Sequence, residues 1–231
     1  MISIIIPTYN EADQIVDTIQ QIRKNAGNVD YQILVVDGKS CDETVALAES
    51  ENVKVVICDK KGRAYQMNRG AKASNAEILF FMHADSVPPK NFLELIENSV
   101  RESYKSGCFK LKFDQNHWFL KANSWFTRFN LNAIRFGDQG LFVSREIFNR
   151  TGGFDENLMI MEDQEIIHRI KKQTAFKILD SEIITSARKY RDNGIYKTQF
   201  VFYLIWTMFY MGFSQQKLLK TYRKLILKNK I

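Results

Sequence analysis

The first 104 residues repeat one pattern four times: a short run of β-branched and other apolar residues, a polar turn, and a longer segment with apolar residues at helical spacing. Continuous apolar runs of this length are typical of parallel strands that are buried on both faces. Four strand–helix units in succession therefore predict an α/β fold with a doubly wound, mostly parallel sheet. The predicted strands cover residues 2–6, 31–36, 53–57 and 77–82, and the predicted helices cover residues 11–24, about 43 onwards, 63–74 and 91–104.

After residue 105 the pattern becomes less regular. Residues 109–113 (FKLKF) alternate like a half-exposed strand, residues 118–136 combine aromatic side chains with helical spacing, and residues 141–144 form a short apolar run. A further helix is predicted from Glu162. With 45% hydrophobic residues and 3 prolines, the composition is that of a globular chain.

The positive charge of the chain is concentrated at its C-terminal end. The net charge is +7, and residues 188–231 hold ten Lys or Arg against one acid, which makes +9 there and leaves −2 for residues 1–187. Because the excess belongs to the tail alone, we expect no nucleic-acid partner.

Cysteine usage and the N-terminal sequence bear on the compartment. Cys41, Cys58 and Cys108 are odd in number and widely spaced, which predicts neither a disulfide framework nor a zinc site. The sequence begins MISIIIPTYNE, without a basic segment, and Pro7 interrupts the apolar run. We therefore expect a cytoplasmic protein without a signal peptide.

Polar residues stand where the predicted strands end, and ligands of open α/β sheets bind at that edge. Asp85 follows a buried run directly, so its carboxylate can offer a hard oxygen ligand to Mg²⁺ or Mn²⁺ beside a diphosphate. His83 lies on the same side of the turn and is a candidate second ligand. The alternative is that Asp85 only caps the loop before the two following prolines.

Three further positions carry groups suited to a nucleotide or an acceptor. Asp37 suits an imide N–H or a ribose hydroxyl, and the less favoured alternative is an Asx-turn residue. Arg63 begins a helix, where a phosphate would meet both free amides and a guanidinium, or it is a solvated arginine. Asp163 can take a proton from an acceptor hydroxyl as a general base, whereas the alternative is that Glu162 and Asp163 only stabilise a helix N-terminus.

Seven short motifs, in this order over about residues 1–190, resemble those of the family 2 glycosyltransferases: PTYNE, DG, GRAxQMN, a DxD-like turn, GDQG, GGF and MED. The segments GRAYQMNRGA, FFMHADS, FGDQGLFV, MEDQE and TSARKYRDNG are similar to a bacterial subgroup often labelled arsenosugar-biosynthesis-type glycosyltransferases. The resemblance implies the GT-A fold, with a Rossmann-like sheet and C-terminal helices. It also implies an enzyme that transfers sugar from a nucleotide-diphosphate sugar to an acceptor hydroxyl.

The same resemblance implies roles for residues of the donor site. Pro7, Tyr9 and Glu11 would shape the nucleotide pocket, Asp37 would contact the base, and Arg63 would lie near the base and the phosphates.

For the reacting centre the resemblance implies roles for five residues. Asp85 would bind the metal, Gly137 and Asp138 would line the acceptor side, and Asp163 would be the base of an inverting single displacement, with Glu162 as its supporting neighbour.

His83 departs from the family pattern, because it replaces the first acid of D-x-D. A neutral imidazole binds Mn²⁺ but is a poorer ligand for Mg²⁺ than a carboxylate, so we expect a divalent cation without naming which. The Q-x-x-R-W motif of processive polysaccharide synthases is absent. We therefore expect one sugar to be transferred per encounter.

The C-terminal residues 191–231 are predicted to form a helical appendage to a domain that covers residues 1–190. Residues 200–213 are almost wholly apolar but fall short of the about 20 that cross a bilayer. They are either core or, with the basic and apolar residues 217–226 that follow, part of an interfacial helix on anionic lipid. We expect peripheral contact with the inner face of an anionic membrane.

Two other functions compete with glycosyl transfer. A nucleotidyltransferase would carry a Gly-rich, Lys-containing loop after strand one, but the loop here is PTYNE. A catalytically silent nucleotide-binding or membrane-tethered protein on the same fold is favoured by His83 in the metal motif.

Overall fold

The structure is a computed structural model that describes residues 1–132 and 137–226. The strands are β1 (Ile2–Thr8), β2 (Tyr31–Asp37), β3 (Lys54–Ile57), β4 (Ile78–Phe81), β5 (Ser86–Val87), β6 (Ser106–Phe113), β7 (Leu141–Ser144) and β8 (Phe176–Thr185). The helices are α1 (Ile15–Asn25), α2 (Thr44–Ser50), α3 (Arg63–Ala73), α4 (Phe92–Arg101), α5 (Trp118–Phe126), α6 (Arg145–Thr151), α7 (Glu162–Lys171), α8 (Arg188–Asn193), α9 (Ile195–Tyr210) and α10 (Gln215–Leu225). A 3₁₀ turn covers Gly137–Gln139.

The strands form one mixed sheet in the order β3-β2-β1-β4-β7-β6-β8-β5. The first four strands pair in parallel, as the repeated strand–helix units predict. Beyond β4 the sheet changes character, because β7 is antiparallel to both β4 and β6, while β6 and β8 are parallel. The prediction of a doubly wound, mostly parallel α/β sheet is confirmed.

Helices cover both faces of the sheet, each against its own core. On one face α1 and α4 bury Ile19 and Phe92 against Ile4 and Phe80. On the other face, α3, α6 and α7 pack against the opposite side of β1, β2, β4 and β7. Helix α3 approaches the sheet closely at Gly70, where a Cβ would lie 2.4 Å from Cγ2 of Ile5. This approach fixes the N-terminus of α3 beside the ends of β1 and β2.

The aromatic segment after β6 is less helical than predicted. The helix predicted over residues 118–136 ends at Phe126, and residues 133–136 lie outside the described part of the chain. Thr127 ends the helix because its hydroxyl donates to Ser124 O at 2.6 Å and accepts from the N–H of Leu111 at 3.0 Å. The end of α5 is thereby attached to β6.

The two C-terminal helices pack on the rest of the chain. Leu218, Tyr222 and Ile226 are buried with Ile205 of α9 and with Ile160, which lies just before α7. The apolar residues of α10 are therefore covered by protein. Helix α9, for which the core alternative was given, is only partly buried, since Val201 and Ile205 lie inside whereas Phe200 and Tyr203 are exposed. In residues 1–132 and 137–226 we find no helix with the length and hydropathy of a membrane span. The division of the chain at residue 190 stays a prediction, and the basic residues Lys228 and Lys230 lie outside the described residues.

Candidate active site

A cavity of about 350 Å³ opens at the carboxyl ends of β1 and β4, and we call it the strand-end cavity. Pro7, Tyr9 and Glu11 reach it because they follow β1 or lie at its end, as predicted. Arg63 reaches it from the first position of α3. The turn after β4 contributes two more predicted residues to its wall, namely His83 and Asp85.

A second cavity of about 310 Å³ adjoins the first, and its wall is mostly apolar. We call it the apolar cavity. Gly137, Asp138 and Asp163, which were predicted from separate motifs, all line it. Three residues line both cavities and mark where they meet: Arg63, His83 and Lys189.

Asp37 does not line either cavity. It is fully buried, and its carboxylate accepts hydrogen bonds from the N–H of Ser40 at 2.7 Å, from the Ser40 hydroxyl at 2.5 Å and from the Thr8 hydroxyl at 3.1 Å. These bonds close the turn after β2, which is the alternative that the sequence left open. The contact of Asp37 with a base stays a prediction.

The junction of the cavities is held by two ion pairs that link distant motifs. Nδ1 of His83 lies 2.8 Å from Oδ1 of Asp138, and Nε of Arg63 lies 2.6 Å from Oε1 of Glu162. The Glu162 side chain is fully buried, whereas that of Asp138 is 41% exposed. Glu162 thus supports Arg63 from beneath instead of facing a cavity.

Burial and pairing shift the pKa values of these groups in opposite directions. Burial lowers the pKa of His83, but the hydrogen bond and charge of Asp138 outweigh it, so that pKa is raised. Burial raises the pKa of Asp138, but His83 outweighs it and brings the value to about 2. Burial raises the pKa of Glu162 against the opposing effect of Arg63. The His83–Asp138 pair therefore favours its charged form.

Asp163 sits at the second position of α7, two residues after a strained residue. Met161 precedes the helix with φ at 71°, in the left-handed region that residues other than glycine seldom occupy. The main chain at Gly137 lies close against the Asp163 side chain, and a Cβ there would be 2.5 Å from its Cγ. Only glycine at 137 leaves this carboxylate where it is.

The turn after β4 offers two groups to a divalent cation. Asp85 lines the strand-end cavity, and Nε2 of His83 is buried without a hydrogen-bond partner among the described residues. Histidines that are held at one ring nitrogen by a carboxylate commonly present the other to a metal. Within residues 1–132 and 137–226, no cluster of three or more His, Cys, Asp or Glu is placed to hold an ion. Asp85 and His83 thus supply at most two ligands, and phosphate and water would have to supply the others.

Sequence reasoning missed the cations that the C-terminal part contributes. Arg188 and Lys189 of α8 and Arg223 of α10 line the strand-end cavity, together with Lys60 and Lys61 before α3. Helix α8 is positioned by the pairing of β5 with β8 and by a 3.1 Å hydrogen bond from the N–H of Ser186 to Asp85 O. The signal in the sequence was the basic segment from residue 188, which was assigned wholly to the tail.

Comparison with solved structures identifies the fold. Solved structures with the same fold include TarS of S. aureus in complex with UDP-GlcNAc, at a TM-score of 0.68, 18% identity, and coverage of 80% of this chain and 58% of that one. Another is the mannosyltransferase PcManGT of Pyrobaculum calidifontis in complex with GDP-Man and Mn²⁺, at a TM-score of 0.69, 17% identity, and coverage of 88% and 61%. The fold is therefore the GT-A fold of glycosyltransferases.

Sequence relatives give the family. The family model described as "Glycosyl transferase family 2" matches residues 3–154. Glycosyltransferase AglE of Haloferax volcanii is 32% identical over 192 residues, which are 75% of this chain and 61% of the relative. Succinoglycan biosynthesis protein ExoA of Rhizobium meliloti is 24% identical over 189 residues, or 73% and 57%. The chain belongs to glycosyl transferase family 2, and it spans less than two thirds of the length of these two curated relatives.

Proposed function

We propose that the protein transfers a single sugar, with inversion, from a nucleotide-diphosphate sugar to the hydroxyl of an acceptor. The observation that carries this proposal is the meeting of two cavities at Arg63, His83 and Lys189, with a carboxylate on the far side of the junction. A donor in the strand-end cavity would present its anomeric carbon toward the apolar cavity.

The strand-end cavity has the charge that a diphosphate needs. Six cations and four carboxylates line it, which leaves an excess of positive charge. Two of the carboxylates are paired, since Glu156 lies 3.5 Å from Lys60 and Glu11 lies 3.7 Å from Arg188. Arg63 adds its guanidinium at the N-terminus of α3, where free amides also favour phosphate. The nucleoside would lie toward Pro7 and Tyr9.

Asp163 is the base of the proposed reaction. Its carboxylate takes the proton of the acceptor hydroxyl while the hydroxyl oxygen forms a bond to the anomeric carbon from the side opposite the diphosphate. The bond from that carbon to the phosphate oxygen breaks, and the nucleoside diphosphate leaves with the electron pair. Glu162 holds Arg63 by their buried ion pair, and Gly137 leaves room for the Asp163 carboxylate.

A divalent cation, Mn²⁺ or Mg²⁺, is part of this proposal. Asp85 and Nε2 of His83 would hold it, and because a ligating imidazole is neutral, His83 would give up the proton that it holds without the cation. When bound, the cation supplies positive charge that stabilises the leaving diphosphate. The pairing of Nδ1 with Asp138 orients the imidazole for this task. Membership of the arsenosugar-biosynthesis-type subgroup rests on motif resemblance alone and remains part of the proposal.

Contact with the cytoplasmic face of an anionic membrane is also a proposal, and the structure changes which surface would make it. The apolar face of α10 is buried, whereas α9 exposes Phe200, Tyr203 and Tyr210. Helix α5 adds Trp118 and Trp125, which are 66% and 46% exposed. Aromatic side chains of this kind lie at the headgroup level of bilayers. The contact would therefore involve α5 and α9 rather than α10.

One observation favours the silent binding protein as a second candidate. His83 stands where the family motif has its first acid, so the turn contributes one carboxylate only, Asp85, and among the described residues no cluster of three or more His, Cys, Asp or Glu is placed to hold an ion. A protein with such a turn can bind a nucleotide without activating it.

Titration calorimetry with UDP and GDP, with and without Mn²⁺, tests the proposal. We expect nucleotide binding that Mn²⁺ strengthens in the native chain and not in Asp85→Ala. Asp30→Ala, at the amino end of the sheet, is the matched control and should behave as the native chain. Asp163→Asn should bind nucleotide normally and release nucleoside diphosphate from donor about 10²–10⁴-fold more slowly. Absence of binding to both nucleotides would overturn the proposal, and binding without turnover of any donor would favour the second candidate.

A further inference from the structure

The wall of the apolar cavity away from the junction is built from hydrocarbon and aromatic side chains of four elements. Strand β6, helices α5 and α9, and the segment before α7 supply Leu111, Phe113, Phe126, Phe202, Ile205 and Ile160. The cavity volume of about 310 Å³ is at the lower end of the range for small-molecule sites. Its occupant meets mostly apolar atoms.

Three polar side chains of this wall are bonded to one another, whereas Gln164 Nε2 and the Tyr222 hydroxyl, which also line the cavity, are buried without a hydrogen-bond partner among the described residues. Gln199 Oε1 accepts from Asn123 Nδ2 at 3.1 Å and from the Tyr190 hydroxyl at 2.9 Å. The Thr127 hydroxyl donates a hydrogen bond to the main-chain oxygen of Ser124 in α5 and accepts one from the main-chain N–H of Leu111 in β6. A sugar buried here would lose water from several hydroxyls, and the buried unpartnered groups that the described wall offers them away from Asp163 are the Gln164 amide nitrogen and the Tyr222 hydroxyl. Hydroxyls beyond these two would be buried without a partner, which is unfavourable.

Polar groups of the cavity concentrate at the junction. Asp163, Asp138, His83, Arg63 and Lys189 all lie on that part of its wall. A ligand that matches both the polar junction and the apolar wall therefore has one polar end, which faces Asp163, and an apolar body.

The apolar cavity continues onto an exposed aromatic surface. Phe126 and Tyr203 line the cavity and are yet 50% and 51% exposed, so they form its rim. About two turns toward the start of the same helices, Tyr196 of α9 contacts Phe119 and Trp118 of α5, with ring centroids at 5.1 and 6.5 Å. Aromatic side chains of α5 and α9 thus form the rim of the cavity and recur outside it.

We infer that the acceptor is an amphipathic alcohol, with a hydrocarbon or aromatic body in the apolar cavity and a single hydroxyl at Asp163. This inference rests on the proposed function, since it assigns the acceptor of the same reaction. A dissolved alcohol and an alcohol held in a bilayer share this chemistry.

Binding of 1-octanol, with methyl glucoside as the polyol comparison, tests the inference. Both are titrated into the UDP-saturated or GDP-saturated protein. We expect octanol to bind and methyl glucoside to bind at least about tenfold more weakly. Tyr203→Asp places a charge at the rim and should weaken octanol binding about tenfold, whereas Phe200→Asp, on the same helix but outside the cavity, should leave it unchanged.

Two results would overturn the inference: methyl glucoside binding as tightly as octanol, or equal octanol affinity in Tyr203→Asp and Phe200→Asp. Nucleotide affinity is measured in the same samples, so that a failure of the proposed function can be told from a failure of the acceptor assignment. Octanol binding without nucleotide binding contradicts the proposed function, and nucleotide binding without octanol binding contradicts the acceptor assignment.

Sedimentation with phosphatidylcholine vesicles that contain hexadecanol distinguishes a dissolved acceptor from one held in a bilayer. A bilayer acceptor is supported if sedimentation depends on hexadecanol and is abolished by Tyr203→Asp. A dissolved acceptor is supported if the protein binds octanol but does not sediment with these vesicles.

Discussion

Gly137 and Asp163 lie so close that a Cβ at position 137 would be 2.1 Å from Oδ2 of the carboxylate. The two residues come from a turn before β7 and from the start of α7, and they share the wall of the apolar cavity. The position of the proposed base is thus set by the absence of a side chain on its neighbour.

Gly137→Ala should therefore displace the Asp163 carboxylate without disturbing the donor. We expect release of nucleoside diphosphate from nucleotide sugars to fall by about 100-fold, since a displacement near 1 Å has effects of that size on catalysis. Steady-state kinetics measure this. The affinity for UDP or GDP is the control and should stay as in the native chain. Normal turnover in Gly137→Ala would show that Asp163 does not need this position.

The pair of His83 and Asp138 predicts a pH-dependent contribution to stability. The pKa of Asp138 falls from 3.8 to about 2, so its contribution is present above pH 3.8 and is lost as the pH falls toward 2. The pKa of His83 is raised from 6.5, so its contribution is present below pH 6.5 and is lost as the pH rises through the raised value. The pair therefore stabilises the fold most between these limits.

Calorimetry of the native chain and Asp138→Asn in EDTA checks this window. We expect the native chain to unfold at a higher temperature near pH 5, by no more than about 3 °C because Asp138 is partly exposed. The difference should shrink at pH 8. A difference that stays constant from pH 5 to pH 8 would contradict the assignment.

Lys189 should contribute to donor binding although it lies far along the chain from the matched segment. It lines both cavities, so Lys189→Met removes a cation from the place where the diphosphate is proposed to lie. We expect about tenfold weaker binding of UDP or GDP, or about 1.4 kcal/mol. Lys197→Met, an exposed cation on α9 outside both cavities, is the matched control. Equal affinities in the two variants would remove Lys189 from the donor site.

The exposed aromatic residues of α5 and α9 should matter for membrane contact. Trp118→Ser should weaken co-sedimentation with phosphatidylglycerol vesicles by about 1 kcal/mol, or fivefold, if about 50 Å² of the indole enters the interface. Ile57→Ser is the control, since Ile57 is similarly exposed, at 60%, on the edge strand β3. The proposed surface would be contradicted if Trp118→Ser bound the vesicles as well as the native chain, or if the native chain did not bind them at low salt.

Sequence patterns predicted the first half of the sheet well, because β1 to β4 are continuous apolar runs with polar residues directly after them. They did not predict β8. Its sequence FKILDSEIIT breaks its apolar pattern at Asp180 and Glu182, where the register against β6 also shifts. The partner of β8 is β6, about 70 residues earlier in the chain, so neither the pairing nor the bulge can be recognised from the residues around β8.

The same limit explains what was missed in the site. The motifs predicted Arg63, Asp138 and Asp163, and the structure brings them to one junction. The basic residues of α8 look like any solvated tail, and the pairing of β5 with β8 decides where they lie. Helix α10 has an apolar stripe that periodicity detects, but periodicity does not tell whether lipid or α9 covers it.

The segment by which the family is identified ends at residue 154 and includes β6 and α5, whereas α7, α8 and α9, which complete the wall of the apolar cavity, all come later. The proposed acceptor site is thus divided between the segment that defines the family and a segment beyond it. A family tree drawn from residues 3–154 alone would record the history of one side of that site only.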